Sequence, residues 1–216
     1  CPKTISKTYH FGEDEQGRPY LVMELLEGQS LLSRIQKTGI VEDPIPWLRL
    51  LDQIAAGMGV AHEQGIVHRD LKSDNVVIVS GEDGQEIAKI LDFGIAKITP
   101  SQHLANISCN QVFGSPAYMA PEQAQGKKLD GRTDVYALGV VMFEVFTNRL
   151  PFSGSPTHVL MAHLRTPPPD PRKFNPVLDD GLAEQILQML SKKPDERPAS
   201  MQVVQQQLMQ IRARLA

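Results

Sequence analysis

Residues 133–147 carry Val135, Ala137, Leu138, Val140, Val141, Met142, Phe143, Val145 and Phe146 with almost no polar face between them. A helix that is apolar on every side cannot lie on a surface, so other elements must wrap it. This one stretch demands a core several layers deep, and the rest of the chain supplies the layers. Trp47, Leu50, Leu51, Ile54, Met58 and Ala61 recur at helical spacing over residues 46–64. Pro46 suits the first helical turn there and Gly65 a C-terminal stop. Two more helices are expected at 179–190 and 199–214, after an extended connector of Pro167-Pro168-Pro169 with Pro171. β structure is confined to two small pairs. Residues 8–11 and 20–23 flank a turn-rich loop, and residues 76–79 and 88–91 flank a polar one containing Gly. The pattern predicts a mostly helical α+β domain.

Composition excludes several classes of function. Over 216 residues, 22 Lys and Arg stand against 25 Asp and Glu, for a net charge of −3. That balance does not suit a nucleic-acid binder, and no nucleic-acid partner is expected. The 41% hydrophobic and 22% charged content is that of a globular chain. No run of about 18 apolar residues is present to span a membrane. Lys3, Ser6 and Lys7 break any signal-peptide pattern at the start. Cys1 and Cys109 make neither a disulfide framework nor a metal-ligand spacing, which points to a reducing, cytoplasmic compartment.

Chemistry concentrates between the two members of the fold's β framework. His68-Arg69-Asp70-Leu71-Lys72-Ser73-Asp74-Asn75 follows the 46–64 helix, and Asp92-Phe93-Gly94 follows a strand. Either motif alone is compatible with an ordinary polar turn. In this order, each at a β boundary, they fit phosphoryl transfer from a nucleotide. Asp70 can accept a hydroxyl proton, Lys72 can neutralise charge on the moving phosphoryl group, and Asn75 and Asp92 offer oxygen ligands to Mg²⁺.

At these residues the chain resembles the eukaryotic-type protein kinases. Gly114-Ser115-Pro116-Ala117-Tyr118-Met119-Ala120-Pro121-Glu122 is similar to the family's substrate-positioning loop and its Ala-Pro-Glu motif. Asp134 to Gly139 resembles the opening of its buried central helix, and Arg197-Pro198 resembles the Arg that pairs with the Ala-Pro-Glu carboxylate, here Glu122. Met23-Glu24-Leu25-Leu26 resembles the hinge between lobes, with Met23 as gatekeeper. The resemblance implies a kinase-like fold, chiefly the helical C-terminal lobe: residues 1–23 would be strand remnants of the N-terminal lobe, 24–30 the hinge and 31–216 the helical lobe. It implies ATP and Mg²⁺ as cofactors, with ATP contacts at Glu24, Leu26, Val77 and Asp92. Arg69 would meet a phosphate on the activation segment, Ser115 would hydrogen-bond the Asp70–Lys72 pair, and Asp134 would accept from the catalytic-loop backbone.

Lys72, two residues after Asp70, and the hydroxyl at Ser115 imply Ser/Thr specificity, so the expected partners are proteins with Ser or Thr acceptors. The wording of Ile90 to Lys97, of Ala120-Pro121-Glu122-Gln123 and of Met161-Ala162-His163-Leu164 before a Pro run resembles bacterial members. Ser108 is the expected activating phosphosite, made in trans by a second copy of the kinase. The family's Gly-rich loop, strand Lys and helix Glu are not found in these 216 residues, and Cys1-Pro2 stands where a His-Pro turn would be. The chain is therefore expected to be a truncated kinase, inactive by itself. The alternatives are a catalytically inactive kinase-derived binding module and a small-molecule phosphotransferase, the latter disfavoured by the Glu122 and Arg197 pair.

Overall fold

The structure, a computed structural model, describes residues 3–81, 83–91 and 115–216. Its centre is α4 (Gly131–Thr147), in which every residue from Thr133 to Thr147 is buried. Asp130 caps its first turn by accepting from the Arg132 amide, and Asn148 ends it in the left-handed region. α2 (Ile45–Glu63) and α7 (Met201–Leu215) lie against one another and both touch α4, while α6 (Asp180–Met189) packs on α4 from another side. Leu48, Ile54, Met58, Val140, Phe143, Phe146, Ile186 and Leu208 belong to one continuous apolar cluster. The helix apolar on all sides thus sits where burial is most complete. Burying a Leu, Ile or Phe there stabilises the fold by about 1.5–3 kcal/mol each.

Several elements escaped the periodicity reading. α1 (Leu31–Thr38) is short and half polar, and only Leu31 and Ile35 are buried; Ser30 caps it and Gly39 closes it. α5 (Pro156–Arg165) likewise buries only Val159, Ala162 and His163. α3 (Pro121–Ala124) is a single turn. Pro171 is not part of an extended connector; it opens a 3-10 turn, Pro171–Lys173, because Asp170 accepts from the Arg172 amide and curls the chain.

Among the described residues, two antiparallel sheets complete the fold. β1 (Thr8–Glu13) pairs with β2 (Pro19–Met23). β3 (Gly28–Ser30), β4 (Val76–Ser80) and β5 (Glu86–Ile90) form the second, with β4 in the middle. β3 lies inside the segment expected to be hinge. Gly28 is required there, since a side chain would run into the Ile78 carbonyl of β4. Residues 4–6 do not join the β1–β2 hairpin. Ile5 bridges Ile90 in parallel, the Ser6 amide donates to the Ile90 carbonyl at 3.0 Å, and the Ile90 amide donates to Thr4 at 2.8 Å. Residues 4–6 are therefore stitched to the edge of the second sheet at β5. No helix among the described residues is long and apolar enough to cross a membrane.

Candidate active site

The loop from His68 to Asn75 joins α2 to β4, and its backbone is mounted on the innermost helix. Asp134, fully buried in the first turn of α4, accepts the His68 amide at 2.8 Å and the Arg69 amide at 2.9 Å. His62 of α2 donates to the same carboxylate through Nε2 at 2.8 Å. Arg69 sits at φ +70°, a conformation that costs a non-Gly residue on the order of 1–3 kcal/mol. The two Asp134 contacts, with Gln123 Nε2 donating to the Arg69 carbonyl at 2.7 Å, hold it there.

His68 adds a second brace. The Asp70 amide donates to its Nδ1 at 3.3 Å, so Nε2 carries the proton and donates to the Leu91 carbonyl at 2.8 Å. Leu91 directly precedes Asp92, which lies outside the described residues, as does Ser108. One imidazole therefore ties the loop of the first motif to the end of the strand segment at Leu91.

Asp70, Lys72, Asn75 and Ser115 come together. Lys72 Nζ lies 3.3 Å from the Asp70 carboxylate and donates to Ser115 Oγ at 3.0 Å. The Ser115 amide donates to Asp70 Oδ1 at 3.1 Å. Asn75 Nδ2 donates to the Asp70 carbonyl at 2.9 Å, which leaves its side-chain oxygen without a partner among the described residues. An amide oxygen so placed is a suitable hard ligand for a divalent cation. Asp70 remains partly exposed, so a substrate hydroxyl would be able to reach it.

Glu24, Leu26 and Val77 lie on the β side of the site. Val77 faces away from Val76 and Ile78, which are in the core, and is half-buried on the open face. Leu26 has neither its amide nor its carbonyl paired with other backbone among the described residues, so both are available to a planar heterocycle. Glu24 is less free: its carboxylate accepts from Lys89 Nζ and from the Lys7 amide, both at 2.8 Å. Those hydrogen bonds, the Lys89 one foremost, hold its carboxyl below the usual range. Lys89 was not singled out in the sequence, and only its register opposite Val77 would have flagged it.

The 115–119 loop is anchored by two buried clusters. Arg197 clamps Glu122 with two parallel bonds of 2.7 and 2.8 Å and spends its other donors on the Arg132, Ser191 and Lys192 carbonyls. Burial opposes the charge on Glu122, but the hydrogen bonds and field of Arg197 outweigh it, so the carboxyl stays below its ordinary value. The second cluster was missed in the sequence. Glu144 of α4 accepts from Tyr118 Oη at 2.7 Å and from Ser73 Oγ on the same oxygen. Burial pushes the Glu144 carboxyl up. Its signal was present: Glu144 is the one charged residue from 135 to 147.

Residues 2–209 match the protein kinase domain family. This chain belongs to it. Among the similar bacterial proteins, Serine/threonine-protein kinase Pkn1 of Myxococcus xanthus is 41% identical over 184 residues, covering 85% of this chain and 26% of Pkn1. Serine/threonine-protein kinase PrkC of Bacillus subtilis is 36% identical over 194 residues, 89% of this chain and 29% of PrkC. The crystal structure of the Mycobacterium tuberculosis PknI kinase domain superposes with a TM-score of 0.75 at 26% identity, over 97% of this chain and 72% of that one. The fold is thus the α+β protein-kinase fold, and the chain resembles bacterial serine/threonine kinases. It spans between a quarter and a third of the length of these two curated relatives, 26% of Pkn1 and 29% of PrkC. Members of the protein kinase family generally use ATP and a divalent metal ion.

Proposed function

We propose that this chain is the helical lobe of a serine/threonine protein kinase that transfers the γ-phosphoryl group of ATP to Ser or Thr hydroxyls of proteins. The observation that carries this reading is the meeting of Asp70, Lys72 and Ser115. A carboxylate, a cation and a hydroxyl lie within one hydrogen-bonded cluster, beside an Asn75 oxygen with no partner among the described residues.

An acceptor hydroxyl placed against Asp70 gives its proton to the carboxylate as its oxygen bonds to the γ-phosphorus. The bond from that phosphorus to the β-bridging oxygen breaks, and ADP leaves. Lys72 offsets negative charge on the transferring oxygens, at a point where Ser115 fixes its ammonium. Asn75 and Asp92 would hold Mg²⁺, which supplies charge neutralisation to the phosphates when bound. Leu26 and Val77 would seat the adenine, with Glu24 fixing the backbone beside it. Arg69 is the proposed partner of a phosphate at Ser108, and its Nε has no hydrogen-bond partner among the described residues. Residues 24–30 act as the hinge in this reading, with residues 1–23 above it and 31–216 below.

Two substitutions in the full-length protein separate the roles. Asp70→Asn should lower turnover about a hundredfold or more while ATP affinity changes little. Asp92→Asn should instead weaken Mg²⁺–nucleotide binding. Equal loss of affinity in both, with turnover per bound complex unchanged, would overturn the assignment. Wild-type protein that binds nucleotide and never transfers would favour the kinase-derived binding module.

A further inference from the structure

His163 is fully buried on α5, outside the loop that carries Asp70, Lys72 and Asn75, and both of its ring nitrogens are engaged. Nδ1 lies 2.8 Å from Tyr136 Oη of α4, and Nε2 lies 2.9 Å from the Ala117 carbonyl. The directions of these bonds follow from both ends of the chain. Lys192 can only donate, and its Nζ lies 3.4 Å from Tyr136 Oη. The tyrosine proton is then directed at Nδ1, which accepts. The Ala117 carbonyl can only accept, so Nε2 carries the hydrogen that holds it. Lys192, Tyr136, His163 and Ala117 are therefore joined by hydrogen bonds that all run one way, from the Lys192 ammonium to the Ala117 carbonyl of the 115–119 loop.

The setting of this chain is specific. Phe152 meets the imidazole edge to face at 4.9 Å and 82°, and Tyr136 meets it at 5.6 Å and 66°. Phe152, Val159 and Ala162 form a small apolar cluster of their own, which seats α5 beneath the loop. Lys192 lies over the Phe152 ring at 4.6 Å and donates to the Ala162 carbonyl at 3.3 Å. Burial, with the charge of Lys192, lowers the His163 value to about 4, so the ring is neutral and keeps one donor and one acceptor. Ala117 is the middle residue of the 3-10 turn Pro116–Tyr118, which closes on Ser115 through the Tyr118 amide at 3.0 Å. Ser115 is the residue that meets both Asp70 and Lys72.

We propose that His163 is a positioning residue for acceptor docking: its Nε2–H holds the Ala117 carbonyl and so sets the 115–119 loop at its place beside Asp70. The proposal rests on the kinase reading, in which this loop receives the acceptor. The nucleotide is held elsewhere, by the hinge and β4, so losing the tether should affect one substrate and spare the other.

Kinetics of the full-length protein with a Ser/Thr acceptor peptide test this. His163→Leu keeps the volume and removes both bonds. Its KM for peptide should rise about tenfold while its KM for ATP stays within about twofold, the signature of lost acceptor positioning. His163→Gln places an amide N–H near the Nε2 position and should recover most of that loss. An unchanged peptide KM in the Leu variant, an equal rise in both KM values, or a Gln variant no better than Leu would overturn the proposal. Should the Leu variant not fold, Tyr136→Phe removes only the hydroxyl that fixes the tautomer. It should raise the peptide KM about threefold, and no change would count against the tether. If the wild-type protein transfers no phosphoryl group, the kinase reading fails while the tether remains testable. Amide exchange at Tyr118 and Met119 should then still quicken in His163→Leu and recover in His163→Gln. Equal exchange in all three would overturn it.

Discussion

His163 also reports on stability, because a buried neutral imidazole is linked to pH. Its value in the fold is lowered to about 4, by burial first and by Lys192 second, against 6.5 for an unperturbed side chain. Below pH 6.5 the unfolded chain takes up a proton that the folded chain refuses. The stability attached to this group is therefore complete above pH 6.5 and is lost as pH falls towards 4, by about 3 kcal/mol in all. Gln at this position has nothing to titrate. Denaturation midpoints of the wild-type protein should fall more steeply between pH 6.5 and 4 than those of His163→Gln, and parallel slopes would contradict the linkage. That Asp70, Lys72 and Asn75 would lie together was readable in the sequence because they fall within one short loop. His163 was not, since a single histidine on a short helix looks like any core residue. Its partners, Tyr136 and Ala117, lie 27 and 46 residues away. Ser73 was hidden differently: it lies within the motif, but its hydroxyl acts on Glu144 of a distant helix.

Elements were legible in proportion to how much of themselves they bury. α4 and α2 carry long apolar patterns because helices surround them, whereas α1 and α5 bury two or three residues each and leave a weak periodic trace. β3 is three residues long, and only its partner strand reveals it. The crossing of α4 and α6 gives an element-scale prediction. Gly139 lies where a Cβ would come 2.8 Å from the Met189 Cβ and 3.4 Å from its backbone carbon. Alanine would gain up to about 1 kcal/mol of helix propensity but would drive the two helices apart. The net effect of Gly139→Ala should be a loss of about 1–3 kcal/mol, read as a lower denaturant midpoint. A midpoint equal to or above that of the wild type would mean that α6 can shift without penalty. The sequence placed this glycine in the opening of a buried helix, but only the packing shows what it makes room for.

Over the whole molecule, the division between scaffold and site is shallow. The scaffold was legible from apolar patterning and the site from motif order. What joins them, Asp134 with the His68 and Arg69 amides and Glu122 with Arg197, was available only through the family resemblance. No pattern within 216 residues specifies a pairing across 65 or 75 positions. The Asp134 carboxylate has consequences for the way the molecule comes apart. Its oxygens are inaccessible, and its helix cannot leave the interior without dismantling α2, α6 and α7 around it. The His68 and Arg69 amides should therefore exchange with deuterium only through global unfolding, with the full denaturant dependence of that transition. Exchange insensitive to denaturant would reveal a loop that opens by itself. The His68–Asn75 loop and the tertiary structure are tied to one melting event, and warming should yield no population that stays folded with that loop slackened.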